Sequence, residues 1–180
     1  MSSECDDHIR AAETSGDCFA GLDAGRKLAL WGMRVWVAGL RQEWPPARTR
    51  EALLEGFALT YATEALGPLE AMMSVLAGGA ARQIAMNCPR CPSVTEDEHL
   101  LLDLLALCQA RGVADRLDPF AKQAASLLTP SGVRLFEAPA LLFSTSLAAA
   151  GMVLPARRAG QSEAGATILR FVHPAPAHLQ

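Results

Sequence analysis

Apolar side chains recur at intervals of three and four along most of residues 24–154, the spacing that aligns one face of an α-helix. From about Ala24 to Gln42, Leu28, Trp31 and Val35 form one stripe, and Leu30, Met33, Val37 and Leu40 form a second. Nearly the whole circumference is apolar, which leaves Lys27, Arg34 and Arg41 as a single polar edge at intervals of seven. Glu43-Trp44-Pro45-Pro46 then breaks the helix, because proline lacks an amide hydrogen and disfavours helical geometry in the residue before it.

The spacing predicts a second helix over about Arg48 to Ala65, with Leu54, Phe57, Ala58 and Tyr61 facing inward, closed by Gly67-Pro68. A third, from about Leu69 to Met86, places Leu69, Met72, Met73, Leu76, Ala80 and Ile84 on one face. Gly78-Gly79 falls inside it and implies a close helix crossing or a bend. Thr95-Glu-Asp-Glu98 is a capping box: the Thr hydroxyl accepts from the third amide of a helix while the Glu reaches back to the cap amide. A fourth helix should therefore run from Glu96 to about Ala110. A shorter one follows over about Val113 to Leu128, interrupted or restarted at Pro119. Thr129-Pro130 reads as a cap followed by a first-turn proline, opening a last long helix to about Ala150 that Pro139 should kink and Gly151 should stop.

No fixed repeat and no sustained alternation of apolar and polar residues supports a sheet. The expected fold is all-α: one domain of five to six helices over residues 24–154, between an acidic disordered tail (1–23) and a Pro/Ala-rich C-terminal tail (155–180) that includes one strand-like run, Thr167 to Val172. With 180 residues, 51% of them hydrophobic and 19% charged, the chain suits a single globular core.

A net charge of −3 argues against a protein that coats nucleic acid. The charge is uneven, since residues 1–25 carry six acids against Arg10 alone, whereas Arg26, Lys27, Arg34, Arg41, Arg48 and Arg50 follow against a single Glu43. A local cationic surface is compatible with that bias. The N-terminus reads MSSECDDHIR, without the basic start and apolar run of an export signal, so the expected compartment is the cytoplasm. The uncharged run from Ala138 to Ala156 approaches membrane-spanning length, but its prolines, Ser144, Thr145 and Ser146 fit a soluble helix better.

Five cysteines in a reducing compartment are thiols or metal ligands more often than disulfides. Cys88-Pro-Arg-Cys91 is the spacing by which one turn offers two sulfurs to a tetrahedral ion. His99 and Asp103, four residues apart on the capped helix and pointing away from its leucines, are the candidates to complete a zinc site. Cys108 falls on the opposite, leucine-rich side and reads as a small core hydrophobe. A zinc shared by two chains, each giving two sulfurs, would need no histidine.

The same tetrapeptide resembles the Cys-Pro-x-Cys of glutaredoxin-like proteins, which implies a redox-active thiol with Arg90 as a neighbouring charge. The resemblance covers four residues. The chain departs from that family in lacking a strand before the motif, and Pro92 stands where the family's helix should continue.

Other chemistry is sparse. No phosphate-binding glycine loop, GxSxG elbow or HExxH is present, and His8, His173 and His178 fall in the tails. Glu96, His99 and Asp103 form an acid/base group on paper, with no nucleophile opposite. Lys27, Arg34 and Arg41, with Trp31, Trp36 and Trp44 nearby, offer a surface for a protein partner or, less naturally, for single-stranded nucleic acid. The blander account of the cationic stripe is one wet edge on a mostly buried helix. The sequence thus points to a non-catalytic helical interaction or regulatory module. Its partner would be another protein or a second copy, and its cysteine loop would be closed by zinc. A thiol redox sensor, an enzyme of unknown class and a nucleic-acid binder are the alternatives.

Overall fold

The computed structural model describes residues 18–110 and 117–156. The acidic segment 1–17, the expected start of the fifth helix at Val113, the run from Thr167 to Val172 and the histidines 8, 173 and 178 lie outside the described residues. Among those described there are six α-helices and no strand: α1 (Ala24–Arg41), α2 (Pro46–Ala58), α3 (Leu66–Gly79), α4 (Glu96–Gln109), α5 (Leu117–Ala124) and α6 (Pro130–Ala149). Two 3-10 turns, Phe19–Gly21 and Thr63–Ala65, precede α1 and α3. The all-α expectation holds, and among the described residues no helix is long and apolar enough to cross a membrane.

Three of the anticipated caps appear in full. Thr95 accepts from the Glu98 amide while the Glu98 carboxylate accepts from the Thr95 amide. Thr129 accepts from the Gly132 amide, with Pro130 in the first turn. α6 ends at Gly151, whose φ of +78° suits glycine, and the Met152 amide folds back onto the Leu147 carbonyl. Inside α6, Pro139 has no amide hydrogen to give the Leu135 carbonyl, which lies on the outer side of the helix.

The core lies where α6 crosses α3 and α4. Phe57 of α2 meets Phe143 of α6 edge-on at 6.3 Å between centroids, and Phe120 of α5 stacks on Phe136 of α6 at 6.3 Å. α3 and α6 make the most extensive helix contact, and where α3 ends the two backbones touch: a Cβ on Gly132 would stand 2.7 Å from the Gly79 carbonyl oxygen. That contact explains Gly78-Gly79 as a close crossing. It also ends the helix, because the Gly79 carbonyl accepts from the Thr129 amide at 2.9 Å instead of continuing the α3 ladder.

Several expectations need correcting. α2 and α3 are shorter than their apolar spacing suggested, and α2 turns Leu53 and Phe57 inward while Leu54 faces out. The reason is Gly56, over which the Trp31 indole lies so closely that no side chain fits there, fixing the rotation of α2 against α1. Tyr61 is not inward but 91% exposed, in the left-handed region at φ +57°, where it caps the end of α2. Ahead of α1, Cys18 and Leu22 are buried, and the Phe19 amide donates to the Pro92 carbonyl at 2.7 Å. At the other end Gln109 accepts from the Leu154 amide and donates to the Met152 carbonyl, which holds residues 152–154 against α4.

Candidate functional site

The connection from Ala80 to Thr95 carries the cysteines and has no helix of its own. A connection this long exposes many backbone groups and buries few apolar side chains, so something must hold it. Arg34 does much of this. Its guanidinium makes a two-pronged pair with Glu98, Nε to Oε1 at 2.8 Å and Nη2 to Oε2 at 2.8 Å. Two of its three remaining hydrogens go to the carbonyls of Cys91 at 2.7 Å and Ser93 at 2.6 Å. Glu98 in turn accepts from the amides of Asn87 at 2.9 Å and Thr95 at 2.8 Å. Both side chains are completely buried, with the Phe19 ring against the guanidinium.

Burying two opposite charges is expensive unless every hydrogen and lone pair finds a partner. Here four of the five Arg34 N–H groups and both oxygens of Glu98 are engaged on one another and on the loop backbone. A second pair repeats the design: Arg82 grips Asp97 through two bonds of 2.8 and 2.6 Å, and Asp97 also accepts from the Ala85 amide at 2.7 Å. The Arg82 hydrogen bonds hold the Asp97 carboxyl below its usual range, against the opposing effect of burial. Arg41 completes the set by donating to the Met86 carbonyl at 3.0 Å.

The seven-residue stripe on α1 is therefore not one wet edge. Lys27 is half-buried, Arg34 is sealed inside and Arg41 is exposed. Arg34 turns inward because the loop brings it a carboxylate and two carbonyls on the side of α1 that the stripe faces.

The four residues expected to share an ion are not brought together. Cys88 is exposed and Cys91 half-buried on one turn, closed by the Cys91 amide on the Cys88 carbonyl at 3.1 Å. The Cys91 sulfur lies 3.8 Å from the Ser93 hydroxyl. His99 faces the core and is 2% exposed, while Asp103 pairs with Arg26 of α1 at 2.6 Å. The spacing of His99 and Asp103 suggested a wet face, but α4 lies between α1, α5 and α6 and has little such face to offer. Among the described residues no three His, Cys, Asp or Glu side chains are placed to hold a metal ion. Cys108 is buried among the leucines.

Beside the loop runs a groove that the sequence did not announce. Two adjoining hollows of about 220 and 200 Å³ share Trp36 and Leu40 as their common wall. The first extends to Trp44 and Thr49, and an Arg50–Glu70 ion pair lines it. The second is walled by Met73 and Leu76 of α3 and by Ile84 and Met86 of the loop, with Arg41 and Arg82 also lining it. Leu40, between them, is 61% exposed. The exposed Arg48 stacks on Trp44 at 4.8 Å. The braces and the groove are one construction, because Arg41 and Arg82 fix the backbone of the same loop whose Ile84 and Met86 form a groove wall. Compared with known proteins, the chain matches no family model, no curated protein and no solved structure.

Proposed function

We propose that the protein is a non-catalytic helical interaction module of a reducing compartment such as the cytoplasm, and that it receives an apolar segment of a protein partner in the groove around Trp36 and Leu40. The carrying observation is the double hollow itself, apolar at its base and lined by arginines, with a leucine left mostly exposed at its centre. Such anchoring pockets with polar rims are how helical domains hold partner segments. The Arg34–Glu98 clip acts as the structural device that keeps the loop wall in place.

The test is a comparison of proteins captured from a lysate by the parent and by Leu40→Glu, quantified by mass spectrometry, with thermal melting to confirm an intact fold. Partners retained by the parent and lost from the variant support the proposal. Identical captured sets at equal stability contradict it.

A second reading rests on the placement of Cys88 and Cys91, accessible together on one turn. Two thiols so placed can pass two electrons and two protons to a small-molecule disulfide and close a disulfide of their own, or can supply two sulfurs to a zinc shared between two chains. Elemental analysis with a thiol count distinguishes these: zinc at one per two chains favours the shared ion, and a reversible loss of two thiols without metal favours redox exchange.

A further inference from the structure

α6 is apolar on two sides, and among the described residues only one of them is packed. Phe136, Ala140, Phe143 and Leu147 fill the core. On the outer side Ser131, Leu135, Ala138, Leu142, Thr145 and Ala149 are all exposed, Leu135 by 65% and Leu142 by 57%. Their separations alternate four, three, four, three, four, the seam of a helix that packs along another helix. Thr145 is no exception, for its hydroxyl is bonded within the helix to the Leu141 and Leu142 carbonyls at 2.9 and 3.1 Å, leaving its methyl to face outward.

We infer that this face is the contact between two copies of the chain, with their α6 helices antiparallel about a two-fold axis. Three features select a second copy. The spacing is the same read in either direction, so an antiparallel partner with this sequence matches it position for position. That match sets large against small at its centre, Leu142 opposite Ala138 and Leu135 opposite Thr145, and small against small at its ends, Ser131 opposite Ala149, as a self-complementary interface allows. Finally, none of the six seam residues carries a charge, so the seam itself offers a charged partner nothing to pair with. Of the two charged residues within its span, Glu137 is half-buried, while the exposed Arg134 falls in this arrangement beside the last turn of the other copy's α6, a helix with no basic residue of its own at that end. A cation there is favoured by the helix dipole.

The interface shares no residue with the groove and stands independently of the proposed function. It is tested by sedimentation velocity and light scattering of the full chain across a concentration series. The parent should be a dimer and Leu142→Glu a monomer with an unchanged circular dichroism spectrum, while Arg134→Glu should weaken association several-fold. Geometry is read by mixing Ala138→Cys protein with Leu142→Cys protein under mild oxidation and mapping the linked peptides. The antiparallel seam predicts cross-links between the two variants in preference to links within either. A parent that stays monomeric at every concentration, a dimer that Leu142→Glu leaves intact, or links formed mainly between identical positions would overturn the assignment.

Discussion

The α3–α6 crossing and the Ala80–Thr95 connection lie next to each other in this molecule and are held by opposite means. At the crossing, apart from Thr129 on the Gly79 carbonyl, the contact is made by shape: Gly79 and Gly132 let the backbones touch, and farther along α6 its Phe136 and Phe143 pack against Phe120 and Phe57. The connection has few apolar side chains to bury, and three arginines and two carboxylates tie down its backbone one carbonyl or amide at a time. The first kind of region tolerates a change of apolar shape better than a charge. The second depends on each partner being present, since a buried charge left alone is the costliest defect of all.

The sharpest way to break this comparison is to remove one half of the clip. Arg34→Met leaves the Glu98 carboxylate buried without its cation, and we expect a loss of about 3–5 kcal/mol in chemical denaturation, as for other broken buried pairs. The double change Arg34→Met, Glu98→Leu should recover part of that loss, whereas a double variant no better than the single would mean that the charge itself is not the problem. At the crossing, Phe143→Ala should cost about 3–5 kcal/mol through the cavity it leaves, with no partner change able to relieve it.

A smaller effect separates the second brace. Because the Asp97 carboxyl is held below its usual range in the folded state, its contribution is present above the ordinary value of about 3.8 and is lost as pH falls through the lower folded value. Asp97→Asn should therefore lower stability at neutral pH by about 1–2 kcal/mol and flatten the acid limb of the stability curve. Equal acid sensitivity in parent and variant would rule out the Arg82–Asp97 brace as its source. Tyr61→Gly works in the other direction, relieving a left-handed backbone at an exposed residue, and should stabilise by up to about 1 kcal/mol. The smallest change is expected where sequence drew most notice: replacing Cys88 and Cys91 by Ser in protein prepared with chelator and reductant should shift stability by less than about 0.5 kcal/mol.

What could be read in advance follows from range along the chain. The caps at Thr95 and Thr129 and the stop at Gly151 are set by residues within a few positions of each other, and they occur as the sequence indicates. The rotation of α2 is not legible in its own residues, because Leu53, Leu54, Phe57 and Ala58 satisfy helical spacing in two ways, and the choice is made by Trp31 lying over Gly56 from a different helix. Arg34 reads from the sequence only as part of a polar edge with Lys27 and Arg41. That it turns inward onto the capping-box Glu98, sixty-four residues away, is fixed only by how the loop returns. The groove needed α1, α3 and the loop together, and no spacing on any one of them displays it.

The central claim is that the cysteine-bearing connection is held by the buried Arg34–Glu98 pair. Native-state hydrogen exchange in the presence of chelator and reductant tests it directly, at the amides of Asn87 and Thr95 that donate to Glu98. Both amides should be protected in the parent and should exchange freely in Arg34→Met under conditions where the amides of α3 and α6 remain protected. Fast exchange of Asn87 and Thr95 in the parent, or protection that survives the loss of Arg34, would contradict the account.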